Sequence, residues 1–278
     1  MTFWIYSGNM KSLIYRTLEN HPNLRNTIRN IIIKYWFLSP WALKAFIFYH
    51  MNYLTSLGTP AKKYPWAIMK GPRSFVETWS LLGEREIIDL IYNLQIDGKI
   101  DGVCVDVGAW VGKYSLLMAK KAKKVICIEP DKLNFKFIKK NIELNNLKNI
   151  EPIQAALDVK DGTTKLYVSH STASHSIMKY GFGYKVKTIS LKSLLDHIGE
   201  NVDLIKMDIE GAEFNILRTL DKDMANQVKY WIVECHSRKK EDQYELEIIF
   251  KNNGYLVRWI NIINIDIPYL FANRSKSN

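Results

Sequence analysis

Val103-Cys104-Val105-Asp106-Val107-Gly108-Ala109-Trp110-Val111-Gly112 is the stretch on which the fold turns. Its first five residues form a short apolar run broken by one acid, the pattern of a strand buried in a parallel sheet. The run then stops at glycines, which allow unusual dihedrals and a close approach of backbone to a ligand. A helix is expected from there to about residue 121, so the stretch reads as a strand-to-helix turn. The same alternation continues downstream. Strands are expected over 125–129, 150–157, 165–168, 185–190, 204–208, 231–234, 255–260 and 269–272, and helices over 132–145, 191–198, 212–220 and 241–252. Upstream, a helix is expected over 84–93, with Ile87, Leu90, Ile91 and Leu94 on one face. Strand and helix in alternation predict an α/β protein with an open, doubly wound sheet. Ligands of such sheets sit outside the carboxyl ends of the strands, where the strand order reverses. Asp106, Glu129, Asp208 and Glu234 fall at expected strand ends and should meet in one crevice.

Glu129 follows Gly108 by 21 residues. A carboxylate at that spacing can accept both hydroxyls of a ribose, as adenosine-type sites require. A dinucleotide site would normally carry G-x-G-x-x-G, with the pyrophosphate on a helix N-terminus. Here the glycines stand as G-x-x-x-G, with Trp110 in the place of the second. Asp106 at the turn would repel a pyrophosphate but suits the ammonium end of S-adenosylmethionine. The spacing therefore favours a methyl donor over NAD.

Four segments then carry a family resemblance: Val105-Asp106-Val107-Gly108-Ala109, Ile128-Glu129-Pro130, Ala155-Ala156-Leu157, and above all Asp203-Leu204-Ile205-Lys206-Met207-Asp208-Ile209-Glu210-Gly211-Ala212-Glu213. Together they resemble the FkbM family of S-adenosylmethionine-dependent methyltransferases, over roughly residues 80–272. The resemblance implies a Rossmann-like, seven-stranded class I methyltransferase sheet and, usually, O-methylation of a hydroxyl on a sugar, polyketide or other natural product. It assigns Asp106, Gly108, Ala109 and Gly112 to the loop at the methionine end of the cofactor, and Glu129 to its ribose. Ala155 or Ala156, with Asp158, would lie near the adenine. It fixes no acceptor, since one fold hosts several.

Methyl transfer to an alcohol is helped by a base beside the oxygen. Asp208, Glu210 and His236 are the candidate catalytic residues; Glu213, in a first helical turn, also suits a capping role. Glu234 and His236 share one face of a strand end. With Asp208 they could surround a divalent metal, or they could act on the acceptor without one. The polar run Ser169–Ser176 reads as a loop able to close over the acceptor.

The net charge of +11 is uneven. Residues 1–73 hold ten Lys or Arg, one acid and 14 aromatic residues, and so carry +9. Composition changes near Arg73, which divides a basic, aromatic, mainly helical extension (1–73) from a methyltransferase domain (74–278). Helices are expected over 21–35 and 39–54, and an irregular connection near Pro60, Pro65 and Pro72. The extension could cap the domain, lie peripherally on an anionic membrane or bind nucleic acid. Asp208-Ile209-Glu210-Gly211 stands where amino-methylating nucleic-acid enzymes carry an Asn/Asp-Pro-Pro-aromatic loop, and its charge would repel phosphate. An RNA methyltransferase is thus the second reading, and a non-catalytic binding module the third. The first residues lack a secretory signal's build, and three widely spaced cysteines make a poor disulfide framework, so a reducing, cytoplasmic setting is expected.

Overall fold

A computed structural model describes residues 62–63, 67–69, 84–167, 176–178, 183–237, 239–262 and 267–274. The helices expected over 21–35 and 39–54, and nearly all of the basic extension, lie outside the described residues.

Seven strands build the main sheet. They are β3 (Val103–Val107), β4 (Lys124–Ile128), β5 (Ile150–Ile153), β9 (Val202–Met207), β10 (Val228–Glu234), β11 (Tyr255–Ile260) and β12 (Tyr269–Arg274), in the order β11-β12-β10-β9-β3-β4-β5. β3 pairs parallel with both β4 and β9, and β12 runs antiparallel between β10 and β11. The order reverses at β3: the chain goes outward through β4 and β5, then returns to add β9 and β10 on the other side. This is the Rossmann-like class I methyltransferase sheet, and the crevice opens where β3, β4 and β9 end.

Side chains alternate across each strand, so every buried strand feeds two cores. Val103, Val105, Val107, Ile205 and Met207 face one layer, formed with α4 (Leu191–Ile198), α5 (Glu213–Leu217), α6 (Lys222–Asn226) and α7 (Lys240–Asn252). Cys104, Cys127, Leu204 and Ile232 face the other, with α1 (Arg85–Ile96), α2 (Lys113–Met118) and α3 (Lys132–Leu144). Cys104, Cys127 and Cys235 are buried and unpaired. Ala67 and Met69 join the second layer although they precede Arg73, and a short antiparallel pair, β1 (Lys62–Lys63) with β2 (Ile68–Met69), occupies part of the stretch expected to be irregular.

The strand expected over 150–157 is in fact two. β5 ends at Ile153, and Ala155 N donates back to Ile153 O at 3.1 Å, a tight turn that bends the chain out of the sheet. β5 is an edge strand and tolerates Pro152, which has no N–H to give. The chain resumes as β6 (Ala156–Asp158) in a separate small sheet with β7 (Gly162–Tyr167) and β8 (Gly183–Ser190), ordered β6-β8-β7. The helix expected to reach 121 ends at Met118, and that expected over 212–220 is shorter and followed by α6, which Asp221 caps through Met224 N at 2.8 Å. Among the described residues no helix is long and apolar enough to cross a membrane.

Candidate functional site

The cofactor half begins at the end of β3. Gly108 N and Ala109 N both donate to Ile128 O, each at 3.0 Å, which ties the turn to the end of β4. Gly108 has φ +75°, and a Cβ built there would stand 1.7 Å from the Asp208 carbonyl oxygen, so only glycine fits between β3 and β9. Trp110 also has positive φ, 52°, which turns its N–H onto Glu129 Oε2 at 2.9 Å. Asp131 N donates to Glu129 Oε1, also at 2.9 Å, and the Asp131 carboxylate caps α3 through Leu133 N and Asn134 N. Glu129 is thereby fixed at the wall of a cleft that opens to solvent. Burial first, and then the charge of Asp131, raises its carboxyl to about 8.

Ala155, Ala156, Leu157, Leu166 and Ile177 give the same cleft an apolar lining, and Asp208 and Glu210 line it too. A carboxyl group with lone pairs beyond its two backbone donors, beside an apolar slot, has the chemistry to take a ribose diol and a flat base. S-adenosylmethionine fits these residues. Of the residues expected to bind it, Gly108, Glu129 and Ala156 line the cleft. Ala109 packs into the core, and Gly112 (φ +87°) opens α2 behind the turn. Asp106 does not reach the cleft wall. It shares a strand face with Cys104, is fully buried toward α2, and its Oδ2 accepts from Ser115 Oγ at 2.6 Å. Asp158 ends β6 and accepts from its own neighbour, Val159 N, at 2.8 Å.

A cluster of ionisable groups stands beside the cleft at the ends of β9 and β10. His236 Nε2 lies 3.7 Å from Asp208 Oδ1, 3.7 Å from Glu210 Oε1 and 3.9 Å from Glu234 Oε1. Its Nδ1 lies 3.3 Å from Glu213 Oε1, which also accepts His236 N at 2.8 Å; Glu213 Oε2 accepts Gly211 N at 2.9 Å. Glu213 therefore fixes both loops, and its carboxylate stands beside an Nδ1 that is buried without a hydrogen bond. Burial alone would lower the His236 pKa, but Glu213, Asp208 and Glu234 outweigh it and bring it to about 9. Burial likewise works to raise Asp208, yet Lys206, then His236, hold its carboxyl below the usual range. Glu234 is pushed well above that range, by burial first and the Asp208 charge second, so it keeps a proton that it can donate to Asp208.

Sequence reasoning missed the residues beneath this cluster. Lys206 is 1% exposed, with Nζ 2.8 Å from Asp208 Oδ2 and 4.8 Å from the centre of the Tyr114 ring. Asp106, Lys206, Glu234 and Tyr269 come from four neighbouring strands and face α1 and α2 as one polar belt. Tyr269 Oη lies 2.6 Å from Glu234 Oε2 and 2.7 Å from Glu84 Oε1; Lys113 Nζ and Tyr114 Oη donate to Glu84 Oε2 at 2.6 and 2.7 Å. The available signal was a lysine inside the apolar run Leu204–Met207. Asp208, Glu234 and His236 do offer ligand atoms within 4.8 Å of one another, a donor set that suits a small cation. The Lys206 ammonium already stands against Asp208, however, and a second positive charge there meets repulsion.

Residues 106–257 match the family model described as the Methyltransferase FkbM domain. Methyltransferase 1 of Beauveria bassiana (strain ARSEF 2860) is 27% identical over 184 residues, which cover 56% of this chain and 73% of that one. Methyltransferase sdnD of Sordaria araneosa is 28% identical over 167 residues, covering 47% of this chain and 64% of that one, just under two thirds. Among solved structures, a precorrin-6y C5,15-methyltransferase from Geobacter metallireducens GS-15 aligns with 70% of this chain and 91% of its own at 12% identity, with a TM-score of 0.45.

Proposed function

The chain belongs to the FkbM methyltransferase family, and we propose that it transfers a methyl group from S-adenosylmethionine to a hydroxyl of a sugar, glycan or small natural product. The observation that carries this reading is that Glu129, Asp208 and Glu210 line one cleft, with His236 Nε2 3.7 Å from both Asp208 and Glu210. The bound cofactor supplies a methyl group already activated on a sulfonium, so the protein must align, desolvate and deprotonate.

Glu129 accepts hydrogen bonds from the ribose, and Ala155, Leu157 and Ile177 cover the base. Asp208 and Glu210 accept from the acceptor's hydroxyl groups and orient the reacting oxygen. Nδ1 of His236 faces Glu213, and Nε2, on the side of Asp208 and Glu210, is the atom that takes the hydroxyl proton. The carboxylates of Asp208 and Glu210 then stabilise the imidazolium formed. With the His236 pKa near 9, its base form grows with pH across the neutral range. The same carboxylates oppose an acceptor rich in phosphate, which favours a polyol over nucleic acid. Lys206 supplies the positive charge beside Asp208, so the reaction runs without a divalent metal.

Transfer of labelled methyl from S-adenosylmethionine to a cell extract, separated into glycan, lipid, nucleic-acid and small-molecule fractions, tests the reading. Alkali-stable label is expected in the glycan or small-molecule fraction, unchanged by excess chelator. Label in nucleic acid, alkali-labile ester label, or loss of transfer with chelator would each overturn the corresponding part.

A further inference from the structure

Glu210 is one of few non-glycine residues with positive φ, 55°. Such a conformation is strained for a residue with a Cβ and persists only where the surroundings impose it. Glu213 Oε2 holds the N–H side of the Glu210–Gly211 peptide, and the restraint on its carbonyl side comes from another part of the chain. Ser176, 1% exposed, donates its Oγ proton to Glu210 O at 2.8 Å and accepts from Met178 N at 3.1 Å. Ser176 is itself fixed by a two-way backbone bridge to Tyr167 at the end of β7, with N···O distances of 2.8 and 3.2 Å. The next residue, Ile177, is on the cleft wall. At its other side the small sheet is anchored to the cofactor half: Tyr184 Oη of β8 donates to Asp131 Oδ2, and Asp131 N holds Glu129. The β6-β8-β7 sheet thus grips both halves of the crevice, one through each of two side-chain hydroxyls.

We infer that Ser176 is a positioning residue for methyl transfer: its hydroxyl pins the Glu210 carbonyl, which holds the turn in the left-handed conformation and keeps the Glu210 carboxylate beside His236 Nε2. The role rests on the reading of Glu210 as an acceptor-side group. Without the Oγ hydrogen bond the turn relaxes toward ordinary backbone angles, and the carboxylate leaves its place by an ångström or more. The cofactor half, anchored through Tyr184 and Asp131, is left intact.

The test is a double-mutant cycle on the full chain, with labelled S-adenosylmethionine and the acceptor-bearing fraction of a cell extract. Ser176→Ala is expected to lower the transfer rate at saturating cofactor about tenfold, with cofactor affinity by calorimetry within twofold of wild type. Ser176→Cys, which keeps the volume and donates weakly, should fall between the two. In a Glu210→Gln background, Ser176→Ala should add less than twofold, because the carboxylate it positions is already gone. Amide exchange at Gly211 and Ala212 should rise about tenfold in Ser176→Ala, a readout of the pin that needs no acceptor. Losses that multiply in the double variant, unchanged exchange, or a parallel fall in cofactor affinity would overturn the role of Ser176. A wild-type rate for Glu210→Gln, with exchange still raised in Ser176→Ala, would instead overturn the acceptor-side reading of Glu210 and keep the pin.

Discussion

Glu129→Gln separates the proposed ribose contact from general packing. The side chain is 5% exposed, and each carboxylate oxygen accepts one backbone N–H at 2.9 Å, from Trp110 and from Asp131. An amide keeps the shape but sets an NH₂ against one of those N–H groups. That change weakens the free protein and the complex alike, so it largely cancels in binding. On the cofactor side one acceptor for a ribose hydroxyl is lost, and a hydrogen bond to a charged group contributes about 1.5–3 kcal/mol. Cofactor affinity should therefore fall about 10- to 100-fold at pH 9, where the wild-type carboxyl is ionised.

The pH dependence is sharper still. With a pKa of about 8, Glu129 is protonated below that pH and can accept from fewer hydroxyls, so wild-type affinity should rise up to about pH 8 and then level off. The Gln variant should show no such rise, and the two should converge near pH 6. Stability carries the opposite sign. The folded pKa lies above the ordinary 4.5, so the contribution of the neutral carboxyl is complete below pH 4.5 and is lost as pH rises toward 8. The Gln variant should lack that slope. Because burial already favours the neutral form, Gln should fold. Calorimetric titration with S-adenosylmethionine between pH 6 and 9 decides it, and equal affinities with equal pH slopes would refute the assignment.

His236→Gln should lower methyl transfer about 10²–10⁴-fold with cofactor affinity unchanged. In wild type the rate should climb with pH toward the His236 pKa near 9, and the variant's residual rate should lose that limb; a pH–rate series at saturating cofactor reads both. Lys206→Met removes the buried partner of Asp208 and should cost about 3–5 kcal/mol, read from the urea unfolding midpoint. A midpoint unmoved by that change would mean that the belt does not depend on its central cation.

Much of the crevice was legible in the sequence because two local rules reach it. A glycine turn after an apolar strand locates Gly108, and acids at the carboxyl ends of parallel strands locate Glu129, Asp208 and Glu234 around the point where the order reverses. The two-residue period also contained the position of Asp106. Cys104 and Asp106 share a face, opposite Val105 and Val107, so the carboxylate turns toward α2 and is not part of the cleft lining. Glu84 and Tyr269 were not legible: they meet across 185 residues, and no local pattern announces such a pairing. Ser176 was read only as part of a polar loop, because the division of 150–157 between two sheets carries no periodic signal, and that division brings the small sheet over the cleft.

The belt beneath the acceptor cluster also constrains how the molecule assembles. Glu84 stands at the start of α1 and Tyr269 in the last strand, whereas Lys113, Lys206 and Glu234 lie between them along the chain. As the chain emerges in order, a buried carboxylate and two buried ammonium groups are made well before the tyrosine that bridges Glu84 to Glu234. β12, set between β10 and β11, therefore supplies the hydroxyl that ties the charged floor of the crevice together across most of the described chain.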